Sequence, residues 1–396
     1  MVTIVIVPLN YLNNMNIVGY VKQYGKHKFT ELPFNDIDAL IFAELAYLNI
    51  HLAVKGKAFR QIKNIKITDK KEFYKASVDA KNNQRLFEAM MKSNRYKNVK
   101  IGYPNWKDNL RIHEQFYAIT LILPDETRYI SFRGTDITVD GWKEDLLIAY
   151  KDDIPSQRTA LKYINEVLKT FDGPFYIGGH SKGGNLAAYS ALHMGEKYEE
   201  RLIKVYSFDG PGFKTNVYEF DSYKRVSHKY IKYLTTHDIV GVIYNRNPNP
   251  IIVYSDGMLL GGHDLFYWGI KKKEPAFVLT KERSAFSKDS ESALMGWLNS
   301  EDDECKEIAV KVVFDLLGTH ATLYDLLLNA GRLVTNGKKT IEGYTEAQRE
   351  KVKEIFKRLG AYYLRAYSPK KFLIDKFNKI KEDVSGEHML EGLDVI

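Results

Sequence analysis

A serine flanked by glycines stands between a strand pattern and a helix pattern. Residues 175–192 read FYIGGHSKGGNLAAYSAL, in which an apolar strand leads into Gly179-His180-Ser181-Lys182-Gly183 and then into a helix of small residues. A G-x-S-x-G run in that setting forms a sharp turn that lifts the serine hydroxyl clear of the sheet. Glycines are needed because strand and helix cross too closely for a Cβ atom. We therefore predict Ser181 as a nucleophile, with the positive end of the next helix directed at the reacting oxygen.

Two later residues could complete a proton relay with Ser181. A nucleophilic serine needs a histidine as general base and a carboxylate that fixes the imidazole tautomer. In chains with this serine turn, the acid precedes the histidine, and both follow later strands. Asp238 lies in LTTHDIV, just after a predicted strand, and His263 lies in LGGHD, after the next strand. The order predicts a triad of Ser181, Asp238 and His263.

Other acids and histidines compete for these two roles. Asp209 ends the strand after the serine helix, but the following Gly210-Pro211-Gly212 is more typical of a wall-forming turn. Asp264 adjoins His263 in sequence, so its side chain should point elsewhere. The rival bases are His180, His228 and His237. His180 lies inside the serine turn and should tuck under the sheet, so the ordered set favours Asp238 with His263.

Two donors are expected to bind the oxyanion. One is the backbone N–H of Lys182, which directly follows the nucleophile. The other should come from the end of an earlier strand, where FRGT runs out through glycine to Thr135, with its N–H and hydroxyl. The side chain of Lys182 is expected to be solvated, because successive residues at such a turn diverge. Residues 136–147 are amphipathic and are expected to cover the site as a short lid.

Composition limits the cofactor chemistry and the compartment. Cys305 is the only cysteine among 396 residues, which excludes an intrachain disulfide and a cysteine-cluster metal site. Neither HExxH spacing nor a phosphate-binding loop occurs, so no metal and no cofactor are predicted. The sequence has no run of 18 apolar residues, and its N-terminal apolar run is too short for a signal peptide. These features predict a cytoplasmic protein.

The net charge of +8 is concentrated in one part of the chain. Residues 1–110 hold 18 Lys and Arg against 9 Asp and Glu, while the remainder is nearly balanced. A solvated basic face is one interpretation, and contact with an anionic membrane surface is another. Nucleic-acid binding is not predicted, because no RNA-binding aromatic motif or helix-turn-helix signature occurs.

Strand and helix patterns alternate through most of the sequence. Residues 35–50 predict a capped helix and residues 70–92 a second one. Residues 115–123 and 128–132 predict a hairpin of buried strands. Further strands are predicted at 175–178, 204–208, 230–235 and 250–254. The alternation predicts a mostly parallel sheet flanked by helices over residues 1–285, with a helical C-terminal region over 286–396.

Five motifs occur in a characteristic order. They are ISFRGTDITVDGWKEDL, GGHSKGGNLA, FDGPGF, HDIVG and GGHDLFYW. Over about residues 30–290 the chain resembles a bacterial group of α/β-hydrolases similar to class 3 lipases, which implies an α/β-hydrolase fold. The resemblance also implies Thr135 as an oxyanion donor, Trp142 in the substrate site, Asp238 as the acid and His263 as the base. Class 3 lipases often have proline after the acid, where this chain has Gly241, so the acid loop is expected to differ in shape.

These features together predict a serine hydrolase. Its substrate would be a carboxylic ester, and a lipid acyl ester in particular, cleaved through an acyl-enzyme. One alternative is an acyltransferase that uses the same triad with an alcohol or amine as acceptor. Another is a non-catalytic α/β-hydrolase-fold protein that binds a partner through its Lys/Glu-rich C-terminal helices.

Overall fold

The computed structural model describes residues 14–136, 139–257, 259–317 and 344–366. Within those ranges, no helix combines the length and the apolar character needed to cross a membrane.

An eight-stranded sheet forms the centre of the molecule. Its strands are β2 (Phe59–Gln61), β3 (Lys100–Asn109), β4 (Glu114–Ile122), β5 (Arg128–Phe132), β6 (Phe175–His180), β7 (Leu202–Phe208), β8 (Tyr230–Thr235) and β9 (Ile251–Val253). Each strand pairs with the next one along the chain. Pairings from β2 to β5 are antiparallel, whereas those from β5 to β9 are parallel. A separate small sheet joins β1 (Asn14–Met15) to β10 (Ile270–Lys271).

Helices cover both faces of this sheet. They are α1 (Ile17–Tyr24), α2 (Asp36–Leu45), α3 (Lys70–Phe73), α4 (Ala80–Lys92), α5 (Val139–Leu147), α6 (Pro155–Lys169), α7 (Lys182–His193), α8 (Asp221–Val226), α9 (Ala285–Ser300), α10 (Asp303–Leu317) and α11 (Glu346–Ala366). One core contains apolar residues of α1, α2 and α4, and a second contains those of α6 and α7. A mostly parallel sheet between two helical layers is the α/β-hydrolase architecture, and the predicted fold class is confirmed.

Several predicted elements lie where the sequence indicated. Helix α2 begins at a capping box, in which Asn35 Oδ1 accepts from the Asp38 N–H and the Asp38 carboxylate accepts from the Asn35 N–H. Strands β4 and β5 form the predicted hairpin. The single helix predicted at 70–92 is wrong, because Asp79 caps a new helix by accepting from the Asn82 N–H at 2.9 Å. Strand β3 was not predicted.

The C-terminal helices pack against the elements that follow the parallel strands. Trp297 of α9 and Cys305 of α10 are buried in one apolar cluster with Ile355 of α11. Leu147 at the end of α5 and Tyr244 after β8 belong to the same cluster. The C-terminal helices therefore support the end of α5, and the predicted domain boundary at residue 285 stays a prediction.

Candidate active site

Four loops with candidate catalytic residues meet at one edge of the sheet. Thr135 lies just past β5, Ser181 follows β6, Asp238 follows β8, and His263 lies on the connection after β9. Because these strands are parallel, their carboxyl ends share one edge, which is where α/β sheets bind ligands. The topology therefore brings the predicted residues to one region of the molecule.

Ser181 forms the sharp turn that its sequence predicts. Its backbone has φ 57° and ψ −132°, a sparsely populated conformation for a residue with a side chain. The Ser181 N–H still donates to the Phe208 carbonyl of β7 at 2.9 Å. A Cβ on Gly179 would lie 2.4 Å from the Gly183 carbonyl carbon, and one on Gly183 would lie 2.2 Å from the Phe132 oxygen. Only glycine fits at these two positions, so the strained turn is built by β6, α7 and β5 together.

The acid that contacts His263 is Asp209. Nδ1 of His263 donates to Oδ2 of Asp209 at 2.6 Å. The Asp209 carboxylate is fully buried, and 13% of the His263 side chain is exposed. The prediction that Asp238 holds this position is therefore corrected to Asp209. Since Nδ1 carries the proton of this hydrogen bond, Nε2 of His263 is left as the basic nitrogen.

Strand register explains why Asp209 lies closer than Asp238. His180 of β6 is opposite Phe208 of β7, so Asp209 is level with Ser181 on the adjacent strand, about 4.8 Å away between strand axes. Asp238 lies one strand further and beyond the end of β8. Asp209 has φ 53°, and its N–H donates to the Tyr233 carbonyl at 2.9 Å. This left-handed turn directly after β7 fixes where its carboxylate lies.

The loop after Asp209 is anchored to the serine helix. The Asn185 side-chain amide, in α7, donates to the carbonyls of Pro211 at 3.2 Å and Gly212 at 2.9 Å. Gln157 of α6 in turn donates to Asn185 Oδ1 at 2.7 Å. The Gly-Pro-Gly turn that argued against Asp209 in the sequence therefore holds that residue in place.

Asp238 lies beside Asp209 as a second buried acid. Its Oδ1 accepts from the N–H groups of Val240 and Gly241, both at 2.8 Å. A Cβ built on Gly241 would lie 2.7 Å from both Asp209 Oδ1 and Asp238 Oδ2. Apart from the two carboxyl groups themselves, no group among the described residues can donate a hydrogen bond to Asp209 Oδ1 or Asp238 Oδ2. Two buried oxygens in this position are satisfied when one carboxyl carries a proton and donates it to the other.

Burial makes this acid pair reluctant to ionise. It raises the pKa of Asp209 to about 6. It also raises the pKa of Asp238 well above the ordinary value, and the adjacent Asp209 carboxylate raises it further. Lys232 lies nearby with its Nζ donating to the Gly210 carbonyl at 2.7 Å. Burial lowers the Lys232 pKa to about 8, although the charges of Asp238 and Asp209 oppose that shift.

His180 and His263 lie next to each other and make different hydrogen bonds. His180 Nδ1 lies 2.9 Å from the Tyr47 hydroxyl, and its Nε2 donates to the His263 carbonyl at 2.8 Å. Both ring nitrogens of His180 are thus engaged away from Ser181, as the sequence predicted. The two rings lie 4.4 Å apart between centroids, so the His180 ring packs against the ring of His263. Burial lowers the pKa of His263, which favours the neutral imidazole that a general base requires.

Lys182, the predicted backbone donor to an oxyanion, begins α7, and its side chain is buried. As the first residue of α7, its N–H precedes the helical hydrogen-bond ladder. Its Nζ donates to Glu144 Oε2 at 2.8 Å and to the Gln115 carbonyl at 3.0 Å. Both charged side chains are fully buried, so the prediction of a solvated Lys182 is wrong. Burial lowers the Lys182 pKa, but the Glu144 and Asp145 charges outweigh it and the net shift is upward.

Thr135 lies over the serine turn, and its hydroxyl has an acceptor of its own. A Cβ on the preceding Gly134 would be 2.5 Å from the His180 carbonyl and 3.0 Å from Ser181 Cβ. The Thr135 hydroxyl donates to Oδ2 of Asp145. Burial raises the pKa of Asp145 to about 6. Of the two predicted Thr135 donors, the backbone N–H is therefore the one left for an oxyanion.

The predicted lid is anchored at its C-terminal end. Glu144 accepts from the N–H groups of Gln115 at 3.0 Å and Ser156 at 2.9 Å, besides Lys182. The end of α5 is thereby fixed to β4 and to α6. Residues 137 and 138 of the predicted lid, and the side chain of Trp142, lie outside the described residues.

Within the part of the chain that the structure describes, no group of three or more His, Cys, Asp or Glu side chains is arranged to hold a metal ion.

Solved structures and one family model match parts of this chain. A crystal structure of M37 lipase matches with 16% identity and a TM-score of 0.33, over 54% of this chain and 71% of that one. A mutant form of MDLA from Penicillium cyclopium matches with 12% identity and a TM-score of 0.33, over 60% of this chain and 84% of that one. No curated protein sequence gives a significant match. Residues 90–315, more than half of the chain, match the Mbeg1-like family model, and the chain belongs to the Mbeg1-like family.

Proposed function

We propose that this protein is a serine hydrolase that cleaves carboxylic esters through an acyl-enzyme. The observation that carries the proposal is the hydrogen bond from His263 to the buried Asp209, formed at the sheet edge that bears the strained Ser181 turn. A histidine oriented by a buried carboxylate beside a strained serine is the arrangement that activates a hydroxyl nucleophile. Ser181, His263 and Asp209 are the proposed triad.

Acylation would use the groups of this edge in sequence. Nε2 of His263 removes the Ser181 proton as the serine oxygen attacks the ester carbonyl, and Asp209 stabilises the imidazolium that forms. The N–H groups of Lys182 and Thr135 bind the oxyanion, and each such donor typically contributes about 2.7–4 kcal/mol to the transition state. His263 then protonates the leaving alcohol. Water attacks the acyl-enzyme by the same relay and releases the acid.

Asp238 is assigned a positioning role in this proposal. With Oδ1 held by two backbone N–H groups, its other oxygen can carry the shared proton and donate to Asp209. The donation would leave Oδ2 of Asp209 as the acceptor for His263 and hold that carboxylate in one orientation. Asp238 thus acts on His263 through Asp209.

The proposed substrate class is a lipid acyl ester. This choice rests on the resemblance of the five sequence motifs to those of class 3 lipases. Trp142 of α5 is the proposed substrate contact on the same basis. An assay with p-nitrophenyl esters of increasing chain length tests the acyl preference, because a lipid acyl site should favour chains longer than acetate.

A fluorophosphonate probe tests the nucleophile directly. The probe should label Ser181 in the wild type, and Ser181→Ala should abolish labelling and lower kcat by at least about 10³-fold. Ser190→Ala is the matched control, because Ser190 is a buried serine on the same helix. Labelling at another serine, or unchanged turnover in Ser181→Ala, would contradict the proposed mechanism.

A further inference from the structure

An exposed apolar surface lies at the end of the β3–β4 hairpin. We call residues 106–112 the hairpin tip. Within it, Trp106 is 51% exposed, Leu110 is 70% exposed and Ile112 is 46% exposed. Leu52, which is 39% exposed, extends this surface, because the ring of its neighbour His51 packs on Trp106 at 4.5 Å between centroids. Aromatic and aliphatic side chains grouped on one protrusion commonly mark an interaction site.

Folding of the hairpin does not call for these apolar residues. Asn109 shapes the turn, since its side chain accepts from the Arg111 N–H at 3.1 Å and its carbonyl accepts from the Ile112 N–H at 3.3 Å. Turn positions of this kind are ordinarily occupied by polar residues. Leu110 and Ile112 point their apolar area to solvent and add little to the core. The stability of the fold therefore does not explain why Leu110 and Ile112 are apolar.

The hairpin tip lies at the same edge of the sheet as Ser181. Ala118 of β4 is opposite Phe132, the last residue of β5, so the part of β4 before Ala118 extends past the end of β5. Lys182, next to the nucleophile, donates to the Gln115 carbonyl in this extension. Residues 109–113 continue further in the same direction. A surface that contacted the tip would therefore face the edge where Ser181 lies.

Basic side chains surround the apolar residues. Lys107 and Arg111 are exposed in the tip, and Lys55 and Lys57 are exposed in the loop after Leu52. Asp108 is the one acid within the hairpin tip, and Lys107 is paired with the buried Glu114 at 2.7 Å, so Arg111, Lys55 and Lys57 carry the positive charge of this surface. Apolar residues that can enter the headgroup region, ringed by cations that attract anionic headgroups, complement an anionic bilayer in both polarity and charge. Tryptophan suits the same position because its ring is apolar and its N–H is polar.

We propose that the hairpin tip is the surface by which this protein binds membranes that contain anionic lipids. Leu110, Ile112 and Trp106 enter the interface, while Arg111 and the neighbouring lysines contact the headgroups. Binding in this orientation brings the Ser181 edge against the bilayer. The inference deepens the proposed function by naming the surface that presents it with a lipid substrate.

The test is co-sedimentation of the full chain with vesicles of phosphatidylglycerol and phosphatidylcholine, and with phosphatidylcholine alone. We expect binding to the anionic vesicles only, and weaker binding as salt rises, because screening acts over about 8 Å at physiological ionic strength. Leu110→Asp with Ile112→Ser, and separately Arg111→Glu with Lys55→Glu, should each lower the vesicle partition coefficient at least tenfold. Leu279→Ser is the matched control. Leu279 is 55% exposed and bridges to β9, the edge strand furthest in strand order from the β3–β4 hairpin, so this variant should bind as the wild type does.

Tryptophan emission gives a second readout. In a Trp142→Phe background, the emission should shift to the blue when anionic vesicles are added, and Trp106→Phe should remove that shift, since the other two tryptophans, Trp268 and Trp297, are already buried. Equal binding to both vesicle types, binding that survives the tip variants, or no binding to either would overturn the proposal. Fluorophosphonate labelling of Ser181 and hydrolysis of a soluble short-chain ester should be unchanged in the tip variants. Failure of labelling in the wild type would instead contradict the proposed hydrolase, whatever the vesicles show.

Discussion

Asp209 accepts a hydrogen bond from His263 Nδ1 at 2.6 Å through one carboxylate oxygen, while its other oxygen adjoins the carboxyl of Asp238. Two acids therefore lie in series behind one imidazole. Asp209 contacts the histidine, and Asp238 contacts two backbone N–H groups and Asp209. In the proposed mechanism Asp238 carries a proton and Asp209 is the carboxylate, and asparagine substitution distinguishes these two roles.

Asp209→Asn should lower kcat on the order of 10⁴-fold, because an amide at this position favours the wrong imidazole tautomer. Asp238→Asn should stay within about tenfold of the wild type, since the amide N–H₂ can donate to Asp209 as the protonated carboxyl does. Steady-state hydrolysis of a p-nitrophenyl ester measures both. Greater harm from Asp238→Asn than from Asp209→Asn would restore Asp238 as the acid of the triad.

Asp238→Ala provides the control for that comparison. It removes the donor to Asp209 and leaves a buried carboxylate oxygen without a partner, so it should lower kcat more than Asp238→Asn does. Activity that is equal in the alanine and asparagine variants would show that the donation to Asp209 contributes nothing. Circular dichroism on both variants would establish that the fold is retained.

Activity should rise as pH increases through about 6. Burial raises the pKa of Asp209 to about 6, so the carboxylate that accepts from His263 is lost by protonation below that value. Burial lowers the pKa of His263, so the neutral base persists to lower pH than for an exposed histidine. Activity at low pH is thus expected to be lost as the Asp209 carboxylate becomes protonated, rather than as His263 does. A kcat/KM profile that stays flat down to pH 4 would contradict this assignment.

Thr135→Val should change kcat by less than about tenfold, because the Thr135 hydroxyl already donates to Asp145 and the backbone N–H is retained. The measurement is kcat and KM on a soluble ester. Loss of a true oxyanion donor typically lowers kcat by about 10²- to 10³-fold. A loss of that size with KM unchanged would show that the hydroxyl turns toward the oxyanion during the reaction.

Glu144→Gln should lower the free energy of unfolding by about 3 kcal/mol, because it removes the carboxylate that pairs with the buried Lys182 ammonium at 2.8 Å and leaves only Asp145, at 3.9 Å. Adding Lys182→Met should recover part of this loss, since the double variant no longer buries the ammonium. Urea unfolding of the single and double variants measures the difference. Equal stability of Glu144→Gln and the wild type would mean that this ion pair does not anchor α5.

Local sequence was sufficient to identify the serine turn and the elements beside it. Glycines at 179 and 183 and an apolar strand before Ser181 specify the turn, because its geometry depends on neighbours close in sequence. The capped helix α2 and the hairpin of β4 and β5 were predictable for the same reason. His263 was predicted as the base from its order in the chain. The structure places it in contact with Asp209 and with His180 of the serine turn.

Tertiary structure decided which acid contacts His263 and whether the Lys182 side chain is buried. Asp209 and Asp238 both follow strands, and only the register of β6 with β7 puts Asp209 level with Ser181. Lys182 is buried because Glu144 reaches it from α5, 38 positions earlier in the chain. Local sequence patterns carry no information about such distant pairings. The sequence by itself determined the serine turn and the fold class, while the packing of helices and the alignment of strands decided which charged groups surround Ser181.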